Sequence, residues 1–577
     1  MRKLTARLPA LAITSLLIAF VGLRFLSNGL AASQVDQDVT VYIPVVHIRS
    51  FQPTSDLRIV HLGLFQSVQN ANNEIPLVAG KPAILRVFAQ DLNHGGDLAQ
   101  ASVTVRAYRG GESIGSISST PQPVPNQPET DDLHSTFNFE LPETWLDGQL
   151  KLVATIDETD AVTELNETNN SAEDLFTFQT VAPLDLTIVP IVYTDTRSGI
   201  IYQPDLTDPV SEWLQTAYPL SKIKVTMHAP YAFSGDLSQP ESWQLLLERL
   251  TALWAVEAGF GSPHLYLGLI PAHGPDGSWF QSGISGLGWL GYRVSLAVDF
   301  GEGTEMVAAH EIGHNFGRRH APCGNPANID SQYPYPDGSI GVYGVDTHDA
   351  ELLDPDHARD FMSYCGPEWV SDYTYEALFQ DQLIRSSRIG DQGSGYLLRA
   401  RMVDGNDISL LPTYQYEGLF FPTGSDSPYQ AQIIDADGAI VATHHMAYLE
   451  AEERGVRAKI LVAHLAEPPK PGQFVRFSMG NQVLDTEQIA PIGRAGNDDL
   501  RLKVDPNPSG KITLRWNESN TPALIRFLPE GSDRWVVLAV DQTGGSLNFD
   551  ARQLPAARGF FDVTLSEGGG SASGPLK

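Results

Sequence analysis

Two hydrophobic periods take turns along this chain. From 57 to 181, stretches such as "AILRVFAQD" and "QLKLVATID" alternate apolar and polar residues, the period of a strand with one face on a core. Gly, Pro, Asn and Asp punctuate the gaps, and short strands at that spacing predict a β-sandwich of immunoglobulin type. Over 184–395 strands alternate with helices, which predicts an α/β domain. "LDLTIVPIVYT", "KIKVTMH", "HLYLGLI" and "RVSLAVDF" read as strands. "DPVSEWLQTAY" reads as a helix with Asp208 as N-cap and Pro209 at its first position. "PESWQLLLERLTALWAVEAG" reads as a second helix, with Trp243, Leu246, Leu250 and Leu253 at helical spacing and Gly259 as its stop. Beyond 395 the strand period returns. A β domain is expected over 396–490, with a hairpin turning at Asp437-Gly438, a loop at "PPKPG" and a break near Ala490. A small immunoglobulin- or fibronectin-like sandwich is expected over 495–567, and a flexible tail over 568–577.

The length of 577 residues suits roughly four domains. Lys and Arg number 38 against 69 Asp and Glu, a net charge of −31, so nucleic acid and anionic lipid are not expected partners. At the N-terminus Arg2, Lys3 and Arg7 precede an apolar run from Leu8 to Leu23, with Ala31 and Ala32 as cleavage positions. Residues 1–32 therefore read as a secretory signal peptide or an uncleaved anchor, followed by a linker over 33–56. Either way the remainder is expected outside the cytosol, secreted or membrane-anchored.

"HEIGHNFGRRH", from His310 to His320, carries the candidate chemistry. On a helix over 304–316, Ala308, Ile312 and Phe316 form an apolar stripe, and His310 and His314 lie on nearly the opposite side. Two imidazoles one turn apart can share one zinc ion. Gly313 lets a neighbouring chain approach closely. Gly317 can take positive φ, end the helix and reverse the chain, so that His320 supplies a third ligand. Three protein ligands leave a fourth position open, the mark of a catalytic rather than a structural zinc. Glu311, beside that face, is placed as general base for hydrolysis. The plain alternative is a surface helix with two histidines, but the G-x-x-H extension argues against it.

The full pattern His310-Glu311-x-x-His314-x-x-Gly317-x-x-His320 resembles the metzincin family of zinc endopeptidases. The resemblance covers roughly 184–395, with a strand and helix order similar to reprolysin-like members. It implies a Met-turn, matched by "DFMSYC" with Met362 as the floor under the metal. In astacin- and serralysin-like members, a tyrosine two residues past that methionine stabilises the transition state. Tyr364 would then donate to the oxyanion, or it is a packed aromatic. Cys323 and Cys365 lie three residues after His320 and Met362 respectively. In an exported protein they are a candidate disulfide stapling the third ligand's loop to the Met-turn; the alternatives are inert thiols or a redox pair. Separately, "ATIDETDAVTELNETNNSAE" (Ala154 to Glu173) looks like the closing strand and turn of a CARDB-type module of bacterial surface proteins, which implies a bacterial origin and a spacer or docking role.

Near the site, "GISGLGWLG" (Gly283 to Gly291) is either the edge strand on which an extended substrate pairs or a plain loop. "YPYPDGSIGVYG" (Tyr333 to Gly344) either borders the substrate pocket or packs under a long loop, and Trp369 and Tyr373 read as core. "FSGD" (Phe233 to Asp236) matches the aspartate-switch pattern of astacin pro-segments but lies inside the α/β region, and is taken as chance. Acidic loops could hold structural calcium, yet none carries a loop motif. The expectation is a multidomain chain: an α/β metzincin-like catalytic domain with one catalytic Zn2+, flanked by all-β sandwich domains. It would cleave extracellular proteins or glycoproteins, with the β domains docking to a cell surface or matrix. Rival readings are a surface adhesin whose zinc is structural, and a zinc hydrolase acting on a non-peptide amide.

Overall fold

Val103–Arg109 and Gln149–Ile156 alternate buried and partly exposed side chains, as strands do with one face on a core. In the computed structural model they pair antiparallel, Val105 opposite Ala154, within a sheet that also holds Leu77–Val78, Ser171–Gln179 and Glu112–Ser118. A second sheet of Leu57–Phe65, Ile84–Asp91 and Phe137–Glu140 faces it. Leu62, Val87, Val105, Trp145, Leu152 and Phe176 fill the core between them. This is a β-sandwich, and the chain as a whole is mostly β, with 47% strand against 13% helix.

The structure describes residues 55–576 apart from 93–97, 275–276, 282, 386–389, 404–406, 421–426, 466–472, 489–499, 508–509 and 567–569. The expected signal segment, all but the last two residues of the linker, the "PPKPG" loop and the break near Ala490 lie outside the described residues. Among the described residues no helix is long and apolar enough to cross a membrane.

Leu184–Asp195, Leu265–Pro271 and Val294–Asp299 run parallel as the centre of a mixed sheet. Their near-continuous burial is that of strands covered on both faces. Ile223–Met227 and Tyr231–Gly235 pair with successive halves of the first strand. At the opposite edge Gly286–Gly288 runs antiparallel to Val294–Asp299. Helix α1 (Ser211–Ala217) begins later than expected, with Val210 rather than Asp208 as its N-cap and Pro209 ahead of it; Asp208 Oδ1 accepts instead from the amides of Val210 and Ser211 in the turn leading into the helix. Helix α2 (Pro240–Trp254) continues through a wider turn, Ala255–Gly259, and stops at Gly259 with φ +90°. Trp243, Leu246, Leu250 and Leu253 of α2 pack on one face of the sheet with Ile191 and Leu296. Helix α3 (Thr304–Asn315) packs on the other face with α1, through Ala308, Ile312, Leu214, Leu186 and Leu267. Helix α4 (Asp372–Arg385) follows the Met-turn region.

Downstream, Asp391–Met402, Val456–Leu465 and Ala447–Glu453 form a sheet facing another built on Tyr429–Ile434 and Phe474–Met479. The expected hairpin is present, with Gly438 at φ +84°. This region does not stand clear of the mixed sheet: Leu397, Leu449 and Val462 share the core beside α2. A last pair of sheets closes on Leu514, Ile525, Phe561 and Leu576. Here the structure corrects one expectation. Ser571–Leu576, read as flexible tail, is a strand paired with Gly559–Leu565. Small residues suggested flexibility, but the open sheet edge supplies backbone hydrogen bonds, and Gly574 fits close against Val504.

Candidate metal centre

Helix α3 ends as its sequence dictates. Gly317 takes φ +81°, its amide donates to His314 O, and the Arg318 amide donates to Gly313 O. These two bonds are the Schellman closure, which satisfies the last carbonyls and turns the chain back. The reversal returns His320 to the helix. The rings of His310, His314 and His320 lie 4.7–5.1 Å apart, centroid to centroid.

Each imidazole is oriented from behind by a backbone carbonyl. His310 Nδ1 meets Phe361 O at 2.8 Å, His314 Nδ1 meets Arg318 O at 2.7 Å, and His320 Nδ1 meets Ala327 O at 2.5 Å. A carbonyl only accepts, so each Nδ1 carries the proton and each Nε2 presents a lone pair. His310 Nε2 and His314 Nε2 are buried with no hydrogen-bond partner among the described residues. Burial, then the neighbouring imidazole of His314, pushes His310 down to about 3. His314 is lowered as well, first by burial. Buried neutral imidazoles whose lone pairs converge are costly alone and are the form that binds a divalent cation. These residues fit a zinc ion.

Under Gly313 of α3 lies the turn from Asp360 to Cys365, the stretch expected as a Met-turn. Met362 is 1% exposed, and its Sδ would lie 2.3 Å from a Cβ added at Gly313. Gly313 is thus required by Met362 beneath it, and Met362 acts as packing. Asp360, buried, accepts from the amides of Met362 and Ser371 and ties the turn together. Three links join the turn to the His320 loop: Ala321 N to Met362 O, Tyr364 N to Cys323 O, and the Cys323–Cys365 disulfide.

Glu311 is 2% exposed and packs against the edge strand. A Cβ at Gly286 would come within 2.4 Å of Glu311 Cγ, and one at Gly288 within 2.5 Å of Glu311 O. The "GISGLGWLG" stretch is therefore an edge strand whose glycines make room for this side chain. Glu311 Oε2 has no hydrogen-bond partner among the described residues. Burial, then the charge of Glu453, raises Glu311 well above the usual carboxylate range.

Glu453, at the end of Ala447–Glu453, is a residue the sequence reading missed. Its Oε2 lies 2.9 Å from His320 Nε2, 3.8 Å from His314 Nε2 and 3.9 Å from His310 Nε2. The three histidines and Glu453 are the cluster of potential ligands found among the described residues. Burial works to raise this carboxyl, but the close approach of the His314, His320 and His310 rings outweighs it and holds it below its ordinary value. No local motif marks "EAEERG" as part of a site 133 residues from His320. Tyr364 OH donates to Glu453 Oε1 and sits 3.5 Å from His320 Nε2. Burial, then Glu453, raises its phenol. A cleft of about 160 Å³ opens beside these groups, lined by Ser285, Val307, His310, Glu311, Tyr364 and Arg454 among others.

Other candidate residues lie elsewhere. Tyr333 packs edge-on to Tyr335 and Tyr373, and Tyr335 OH donates to Asp372, so this loop packs and does not line the cleft. Trp369 is core, and Tyr373 stacks under Arg318. Asp236 of "FSGD" pairs with Arg197.

No protein-family model matches the chain. No curated protein matches it either. Among solved structures, a CARDB domain from Pyrococcus furiosus is similar over 22% of this chain and 90% of its own, at 21% identity and TM-score 0.16. A β-glucuronidase from Parabacteroides merdae aligns over 90% of this chain and 78% of its own, at 10% identity and TM-score 0.15. A β-glycosidase from Bacteroides vulgatus aligns over 90% and 79%, at 8% identity and TM-score 0.14. At such scores these likenesses carry no argument about the fold or chemistry of this chain.

Proposed function

We propose that this chain is an exported, zinc-dependent endopeptidase of metzincin type that hydrolyses peptide bonds in extracellular proteins or glycoproteins. The observation that carries the reading is the convergence of three Nε2 lone pairs at one buried point, with the Glu311 carboxylate beside it at the wall of an open cleft. A zinc ion held by His310, His314 and His320 would polarise a substrate carbonyl and acidify water. Glu311, carried on the same helix, takes a proton from the attacking water and returns it to the leaving amine. Its buried setting, with its basicity raised, suits a group that must hold that proton between the two transfers. Tyr364 OH is placed to donate to the developing oxyanion. The edge strand Gly286–Gly288 offers backbone groups for an extended substrate to pair with.

The sandwich over 57–181 is read as CARDB-like on its Ala154–Glu173 signature. Together with the downstream sheets it would dock the enzyme to a cell surface or matrix. A second reading, a surface adhesin with a structural metal, is favoured by Glu453 as a potential fourth donor. Against it stands Glu311: a buried carboxyl whose Oε2 has no hydrogen-bond partner among the described residues is costly and has no use in a structural site.

The test uses the full zinc-loaded chain in a Glu453→Ala background, which clears the carboxylate from the histidines. Digestion of a proteome-derived peptide library is compared with and without added Glu311→Gln. Cleavage is expected to fall by about 10²–10⁴-fold, with one equivalent of zinc retained in both proteins by elemental analysis. Undiminished cleavage after Glu311→Gln, or cleavage insensitive to chelator, overturns the mechanism. Full zinc occupancy without any cleavage favours the adhesin.

A further inference from the structure

The Nε2 atoms of the three histidines and the Oε2 of Glu453 all act as acceptors unless something stands between them. With each Nδ1 proton given to a backbone carbonyl, no neutral imidazole here can donate to Glu453. A carboxylate pressed against three lone pairs in a buried site is repulsive. A divalent cation among them turns that repulsion into four attractive contacts. The separations of 2.9, 3.8 and 3.9 Å bracket the about 3.3 Å expected between ligand atoms of a tetrahedral centre with bonds of 2.0–2.1 Å.

We infer that Glu453 is the fourth ligand of this centre, and that the hairpin carrying it holds the site in a latent form. The inference rests on the metal centre proposed above and concerns how that centre is regulated. Ala447–Glu453 and Val456–Leu465 pair through a two-residue turn, with Arg454 at φ +41° and Gly455 at φ +91°. Positive φ at both positions is the tight hairpin turn that matches strand twist, so Glu453 is delivered from a rigid tip. The hairpin also covers the flanks of the edge strand. Leu290 N donates to Glu450 O at 2.9 Å, and Arg319 pairs with Glu450 at 3.2 Å. Arg454 donates to Gly283 O at 3.3 Å and places its guanidinium 4.7 Å from the centre of the Tyr364 ring. An extended peptide cannot pair with Gly286–Gly288 while these contacts stand. The Tyr364 hydroxyl, the candidate oxyanion donor, is meanwhile engaged by the other oxygen of Glu453.

Latency of this kind is reversible. Each histidine is locked from behind by a backbone carbonyl, whereas the second oxygen of Glu453 is held by two side chains, the Tyr364 phenol and, at 3.9 Å, the Arg454 guanidinium. Of the hairpin, only Glu453 and Arg454 line the cleft, and their anchoring contacts are polar. Displacing one side chain therefore opens the fourth position without dismantling the core.

The experiment loads the full chain with Co2+ and compares wild type, Glu453→Gln and Glu453→Ala. The glutamine variant keeps the shape of the side chain, so it carries the test if the alanine variant misfolds. Visible absorption is followed during titration with acetohydroxamate, a probe that needs an open metal position. The wild-type spectrum should stay unchanged, while both variants should shift and saturate. Loss of metal to a chelator should quicken by about ten-fold or more in the variants, and peptide cleavage should rise by a similar factor. If acetohydroxamate shifts wild type and Glu453→Gln within about two-fold of each other, well below the about 10–100-fold that loss of even an outer-sphere partner of a metal ligand costs, the fourth-ligand inference falls and the metal centre stands. If none of the proteins retains Co2+, the metal centre itself fails. If the variants bind acetohydroxamate but cleave nothing, the fourth ligand stands and the peptidase reading falls.

Discussion

At the scale of single residues, the site depends on side chains that are absent as much as on those present. Gly313 has Met362 Sδ where its Cβ would be, with the Phe361 ring at 3.1 Å. Phe361 also orients His310 through its carbonyl. Gly313→Ala should therefore destabilise the protein by about 1–3 kcal/mol, the usual cost of overpacking a filled core. It should also weaken metal binding, because the displaced Met-turn carries the carbonyl behind His310. Chemical denaturation and a competition titration for zinc would check both; an unchanged midpoint would show that the thioether yields freely. The requirement for a small residue at 313 was legible in the motif, but the partner that imposes it was not.

At the scale of elements, the loop after α3 and the Met-turn behave as one clasp. The disulfide between Cys323 and Cys365 closes a separation of 42 residues, worth about 4 kcal/mol on the chain-entropy model. Replacing both cysteines by serine should lower the unfolding free energy by up to that amount and slow metal uptake, as His320 loses part of its support. Thermal unfolding with and without reductant gives the measure; a wild-type protein indifferent to reductant would contradict it. Helix α3 was legible because its periodicity, glycine stop and histidine spacing are all local. The hairpin ending at Glu453 was legible only as strands. That its tip enters the histidine cluster depends on how the downstream sheet packs.

At the scale of the whole molecule, the first sandwich is sewn to the mixed sheet by buried polar contacts. Lys81 Nζ donates to Thr216 O at 2.8 Å and also to Gln215 O at the end of α1. Ser67 Oγ donates to Thr216 O, and Trp369 Nε1 donates to Ser67 O. Lys81 is fully buried, and burial, opposed by Asp346, pushes its amine from 10.5 down to about 7. A folded-state value below the unfolded one means this group's contribution is complete above pH 10.5 and is lost as pH falls through 7. Wild type should thus gain stability relative to Lys81→Met as pH is raised from 7 towards 10, read as the difference in Tm between the two. A constant difference across that window would show that the amine stays charged when folded.

What the sequence determined by itself is what short-range chemistry encodes. The strand and helix periods, the Gly317 stop, the histidine spacing with Glu311 beside it, and the candidate pairing of the two cysteines are all of this kind. The tertiary structure decided what depends on chain segments far apart. It ordered the last strand on an open sheet edge, set the glycines of the edge strand against Glu311, merged the downstream sheet into the core beside α2, and brought Glu453 into the ring of histidines. Periodicity reports which face of an element is buried, but not which distant element buries it; that choice is made by packing the whole chain at once.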